Sequence, residues 1–230
     1  MVGHVVAAEG MAAHSEGVRQ VSADSVEGGG FGARGPPPTV CLSLGVADLS
    51  EAELRSVCDL WTAAFPTPAT RDRYAEAVAR RATSDARDEE IHAIFASDGS
   101  CLAAARSFVR TVEVGDADGE NAEERDVLAL AHVATAPAAR GRGLGVRVVK
   151  SAWERLGRDG DGVEESLFCS GVPAFYEKLG AVALKPLAIA YPSETSKRFA
   201  DPTMLRAATR RSRPWPDVAG LRFVTNGDGW

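Results

Sequence analysis

The stretch from Val127 to Leu156, VLALAHVATAPAARGRGLGVRVVKSAWERL, constrains the fold more than any other: an apolar strand pattern runs into an arginine/glycine turn and then an amphipathic helix. A strand feeding a helix in this way brings free backbone N–H groups and the positive end of the helix dipole to one point. That point is a seat for an anion such as a diphosphate, so a phosphorylated cofactor is expected. Gly141 permits the sharp turn, and Gly143 and Gly145 remove Cβ atoms where backbone would approach the phosphates. Arg140 and Arg142 add guanidinium groups that can meet phosphate oxygens, and Leu144 opens the helix. The turn carries neither the G-K-[ST] of a Walker loop nor the G-x-G-x-x-G of a dinucleotide site. Arginine/glycine turns also occur as ordinary solvated loops, so the surrounding chain has to decide.

Around this core the sequence reads as one domain behind a tail. Residues 1–38 hold little apolar periodicity and include Gly28-Gly29-Gly30 and Pro36-Pro37-Pro38, a composition that cannot offset its ordering entropy; a disordered tail is expected. The domain, residues 39–230, should open with a strand at 40–44. Ser50 and Glu53 then form a capping-box pattern before Leu54, Val57, Trp61 and Phe65 at helical spacing, and a second helix is expected over about 70–82. Two strand-like runs, 91–96 and 102–112, flank Asp98-Gly99, a hairpin turn signal. The acidic stretch 115–124 reads as a solvated loop. After the opening segment come a strand at 165–169 and a short helix at 172–179 stopped by Gly180.

Charge and cysteine usage exclude several classes. A formal net charge of −6 argues against nucleic acid and allows a cationic partner. Cys41, Cys58, Cys101 and Cys169 show no C-x-x-C spacing and the histidines no i, i+4 pairing, so neither a metal site nor a disulfide framework is expected. With no apolar run near the roughly twenty residues of a membrane span, the chain reads as soluble and cytoplasmic, with no membrane partner.

The spacing Arg140-x-x-Gly143-x-Gly145, with the strand and proline before it (Leu128 to Pro137), resembles the acetyl-CoA signature of the GCN5-related N-acetyltransferases, the GNAT superfamily. The later segment SLFCSGVPAFYEKLGAVAL, Ser166 to Leu184, is similar to that family's strand-helix-strand ending in F-Y-E-K-x-G, and stands in the family's order and separation. The resemblance implies an α/β fold with a mixed sheet whose two central strands splay apart. It implies that the pantetheine of acetyl-CoA lies in the splay and pairs with backbone around Val133 and Thr135. It further implies transfer of acetyl to an amine by direct attack, with Tyr176 at the F-Y-E-K position as general acid toward the departing thiolate; a packing aromatic is the structural alternative for that residue.

The base is less legible. Several relatives place Glu or His nine residues before the motif arginine, which here is Ala131. His132 is adjacent, but strand alternation sends it to the opposite face unless a bulge intervenes, and a structural role is the expectation. The C-terminal G-D-G-W and the segment Asp48 to Pro66 resemble the aminoglycoside 2′-N-acetyltransferase branch, implying that Asp228 and the carboxylate of Trp230 face a cationic amino sugar. A frayed terminus is the alternative there. Asp72 could help hold such a substrate or stabilise the first turn of its own helix. The expected partner is a small-molecule amine, with acetylation of a protein N-terminus, lysine or other metabolite, or acyl-CoA binding without turnover, as the other readings; a homodimer is left open.

Overall fold

The computed structural model describes residues 20–22, 40–45, 48–66, 87–115, 123–158, 163–184, 188–191, 194–197, 203–209 and 222–225. Their elements are β1 (Gln20–Ser22), β2 (Cys41–Gly45), α1 (Glu51–Ala64), β3 (Arg87–Phe95), β4 (Cys101–Gly115), β5 (Glu123–Thr135), α2 (Leu144–Trp153), β6 (Glu165–Ser170), α3 (Pro173–Glu177), β7 (Val182–Leu184), β8 (Ala188–Tyr191), β9 (Glu194–Lys197), β10 (Thr203–Ala208) and β11 (Arg222–Thr225). The strands form one sheet in the order β1-β2-β3-β4-β5-β6-β10-β7; β11 pairs with β4 and with β8, which also pairs with β9. This is the expected mixed α/β sheet. Most neighbours are antiparallel, and the parallel pairs are β5 with β6 and β8 with β11.

The local signals read from sequence produce the elements that frame the sheet. In the capping box of α1, the Glu53 N–H donates to Ser50 Oγ at 3.3 Å and the Ser50 N–H donates to Glu53 Oε2 at 2.9 Å. The β3–β4 hairpin turns at Gly99, whose φ of 84° suits glycine, and the Ser100 N–H donates to Asp98 Oδ1 at 2.9 Å. Within the segment expected as a tail, Gln20–Ser22 pairs antiparallel with β2. Three residues carry too little pattern to reveal a strand whose partner is distant in sequence. The helix expected at 70–82 lies outside the described residues.

The two faces of the sheet are packed differently. On one face α1 contributes Leu54, Val57, Leu60 and Trp61 to a cluster with Ile91, Ala93 and Ala104. On the other, α2 contributes Leu144, Val148, Val149 and Ala152 to a cluster with Ile94, Ala103, Ala105, Leu130 and Phe168. Beneath α2 the core is also polar: buried His92 lies 2.8 Å from Ser107 Oγ through Nε2 and 3.1 Å from Ser151 Oγ through Nδ1. Arg155 Nη1 donates to Ser107 Oγ at 3.0 Å, and its Nε lies 3.4 Å from Glu90 Oε1. Burial, reinforced by the nearby Arg155 and Arg158 charges, pushes the His92 imidazole down to about 3, so it is neutral in the folded protein.

Candidate active site

β5 and β6 are hydrogen-bonded neighbours only over Leu128↔Ser166 and Ala129↔Leu167. Beyond these pairs both strands continue, β5 to Thr135 and β6 to Ser170, so the sheet opens into a V. The V holds a cleft of about 460 Å³, with Leu130, Ala131, His132 and Val133 on one wall and Phe168, Cys169 and Ser170 on the other. The expected splay is present.

The open end of the V, where β5 finishes at Thr135, leads to the arginine/glycine turn. A short 3-10 turn, Pro137–Ala139, carries the chain from β5 to Arg140, and the Arg140 N–H donates to Pro137 O at 3.3 Å. Gly141 and Gly143 then adopt φ of 76° and 73°, the left-handed region that disfavours any side chain, and Gly143 is the N-cap of α2. No side chain caps this helix end, where the first-turn N–H groups of a helix lack intrahelical partners. Arg140, Gly141, Arg142 and Gly143 are all exposed around it. The arrangement can seat an anion.

Gly145 also has a packing reason: a Cβ there would come within 3.1 Å of Thr135 Oγ1 and 3.7 Å of Phe175 Cζ, so this glycine lets α2 pack against β5 and α3. Leu144 turns its side chain into the core, 3 % exposed, and can offer only its backbone to a ligand. Val133 and Thr135 sit on the last turn of strand before the 3-10 turn, and Val133 lines the cleft.

Tyr176 lies on the opposite wall. It is buried, with its ring edge-on to Phe168 and to Phe175 at 4.8 Å each. Burial pushes its phenol up to about 12, and a side-chain hydrogen bond with Ser170 pulls weakly the other way. It lines the same cleft as Val133.

The position of His132 departs from the expectation. Ala104 pairs with Ala134 and Arg106 with Ala131, so two residues of β5, His132 and Val133, stand opposite Ala105 alone. This is a β-bulge, and His132 adopts φ of 52° within it. The bulge interrupts alternation: His132 shares the α1 face with Ala131, while Val133 returns to the α2 face. Its ring packs against Trp61 at 5.4 Å and edge-on to Phe65 at 5.8 Å, and it lines the cleft. Phe65 caps the C-terminus of α1, its N–H donating to Trp61 O at 2.8 Å. Val172, the N-cap of α3, stands on the opposite lip, its N–H donating to Ser170 Oγ at 3.1 Å. Sequence reading did not single out Phe65 or Val172 as site residues; each is placed there by an element end. Asp72, Asp228 and Trp230 lie outside the described residues.

Among the described residues no cluster of three or more His, Cys, Asp or Glu side chains could hold a metal ion, and no helix is long and apolar enough to cross a membrane.

A mixed sheet opened between two parallel strands, with an uncapped helix end just beyond the open end of β5, can hold an extended ligand that finishes in an anion. The sequence of residues 54–181, more than half of the chain, matches the acetyltransferase (GNAT) family, and the chain belongs to that family. Among solved structures it is similar to the Escherichia coli GNAT family N-acetyltransferase YhbS in complex with CoA, at 12 % identity and a TM-score of 0.52, covering 77 % of this chain and 85 % of that one. An acyl-CoA N-acyltransferase from Pseudomonas aeruginosa aligns at 20 % identity and a TM-score of 0.49 over 74 % of this chain and 100 % of that one. No curated protein sequence gives a significant match. At these identities the structural likeness concerns the fold alone.

Proposed function

We propose that this protein transfers an acetyl group from acetyl-CoA to the primary amine of a small molecule by direct attack. The observation that carries the proposal is the succession, along one stretch of chain, of the open V beside β5 and an uncapped helix end preceded by two positive-φ glycines. These residues fit the cosubstrate. First-turn N–H groups of α2, Arg140 and Arg142 would hold its diphosphate, and the free strand backbone near Val133 and Thr135 would pair with its pantetheine amides. When bound, the cosubstrate supplies the activated acyl group as a thioester.

The chain's own groups would do the rest. At the bulge β5 carries one residue more than β4, and a backbone N–H there would stabilise the carbonyl oxygen as it gains charge. We assign the amine's proton to His132, since imidazole is the side chain whose ordinary range lies near neutral pH and the bulge gives it the face of Ala131. Tyr176, protonated at any working pH, donates to the departing sulfur. Moving a proton from a phenol at about 12 to a thiolate whose thiol titrates near about 8.5 costs about 5 kcal/mol. That is well under the roughly 16 kcal/mol barrier of a reaction turning over at about 10 per second, so the assignment is energetically sound.

An aminoglycoside acceptor rests on Asp72, Asp228 and Trp230 and draws no support from the described cleft lining. The test of the proposal is CoA release from acetyl-CoA across a panel of primary amines, with product masses read directly. Amine-dependent release that falls at least tenfold in His132→Gln, with unchanged acetyl-CoA KM, is expected. Acetyl-CoA binding with no amine-dependent release would leave a binding module in its place.

A further inference from the structure

The acceptor end of the cleft is framed by apolar side chains that the fold holds against water. Among the described residues three large apolar side chains are exposed, and two of them, Phe65 at 36 % and Val172 at 61 %, stand on the lips of this one cleft. Neither is there by fraying. Phe65 is fixed as the C-cap of α1 and packs edge-on to His132, and Val172 is fixed by its N–H bond to Ser170 immediately before Pro173. Exposed apolar area of this kind costs free energy unless something covers it, and its concentration at one mouth marks a binding surface.

The lining chemistry narrows the occupant. Among the described lining residues none is acidic. A polycation would find no countercharge on these walls. A ring of benzene size fits an apolar cavity of about 150 Å³, so a cleft of about 460 Å³ has room for one beside an extended thioester arm. Trp61, His132 and Phe65 form a tilted and edge-on aromatic series that ends at the mouth, geometry that a further ring extends.

We propose that the acceptor is a small primary amine with an apolar, preferably aromatic, body, which Phe65 and Val172 clasp while the amino group reaches into the V. This rests on the acyltransferase reading above and specifies its acceptor. The Val172 side chain selects for width at one lip, and the Phe65 ring covers the body at the other.

The experiment compares 2-phenylethylamine, 3-methylbutylamine, spermidine and an aminoglycoside as acceptors with acetyl-CoA, and measures their binding to the CoA-loaded protein by calorimetry. The expected result is that 2-phenylethylamine exceeds spermidine at least tenfold in kcat/KM. Phe65→Ser and Val172→Ser should each raise its KM about tenfold, leaving that of acetyl-CoA unchanged. Val172 is well exposed, so its variant folds even if Phe65→Ser proves unstable. Turnover in which spermidine or the aminoglycoside equals or exceeds the arylalkylamine overturns this proposal and leaves the acyltransferase reading standing. Calorimetric binding of 2-phenylethylamine that weakens in both variants, without CoA release from any amine, supports the apolar clasp and overturns the catalytic reading instead. Absence of both binding and turnover overturns both.

Discussion

The two ends of the cleft are built on opposite plans. The proposed cofactor end is a single continuous piece of chain, Val133 to Gly145, whose helix is fastened from behind by buried polar contacts among His92, Ser107, Ser151 and Arg155. The proposed acceptor end is assembled from three separate pieces, the C-cap of α1, the bulge of β5 and the N-cap of α3, which line one cleft. A site for an invariant cosubstrate can be fixed by local backbone geometry. One for a variable acceptor gains from parts that can be changed one at a time, and this division should be visible in which Michaelis constant each substitution moves.

The largest expected effect cuts across both ends. Tyr176→Phe keeps the ring contacts with Phe168 and Phe175 and removes the donor, so kcat should fall about 100-fold with both KM values little changed. Because burial holds this phenol at about 12, wild-type kcat should show no loss attributable to it below about pH 11, the group losing its proton only as pH rises through that value. Unchanged kcat in Tyr176→Phe would break the assignment, whereas an alkaline limb near pH 9 that vanishes in the variant would keep the donor role and contradict the raised phenol.

Next in size, replacing Arg140 and Arg142 together by Ala should raise the acetyl-CoA KM about tenfold, more at low salt, with the amine KM unmoved. Equal changes in both constants would show that the ends are not independent. A smaller version uses backbone alone: Gly143→Ala forces a side chain into φ of 73°, costing about 1 kcal/mol and weakening acetyl-CoA severalfold, measurable by calorimetry.

The smallest effect concerns the fastening of α2. His92 is neutral in the folded state, held near about 3, whereas in the unfolded chain it titrates near about 6.5. Between those values the unfolded state binds the extra proton, so this contribution is complete above about pH 6.5 and is lost as pH falls toward 3. Denaturant titrations should therefore give about 1 kcal/mol less stability at pH 5.5 than at pH 7, and His92→Asn, less stable at pH 7, should lack that part of the slope. An identical slope in the variant would place the proton elsewhere.

What the sequence made legible follows the same division. The strand, turn and helix from Val127 to Leu156 were readable because each is specified by neighbours in the chain: periodicity, glycines at turns, arginines beside them. The capping box at Ser50 and the Asp98-Gly99 hairpin were readable for that reason too. The facing of His132 was not, because a bulge arises from how β5 counts against β4, and no pattern within β5 records that mismatch. Phe65 and Val172 read as the end of an apolar stripe and a residue before proline; only the meeting of α1 with α3 across the V gives them a common mouth. The packing of Gly145 was not legible either, since its neighbour Thr135 is ten residues away in the chain.

The opening between β5 and β6 has one more consequence. Strand edges at the rim of a sheet are normally guarded by charge, proline or brevity against pairing with a stray chain. Here two such edges face each other across the cleft, along Leu130 to Val133 and Phe168 to Ser170. On the proposed reading, a linear ligand bearing amides would stand there as a substitute strand, and its departure would return the sheet to two unpaired edges. Self-association would then be greatest in protein without cosubstrate, and excess cosubstrate would suppress it.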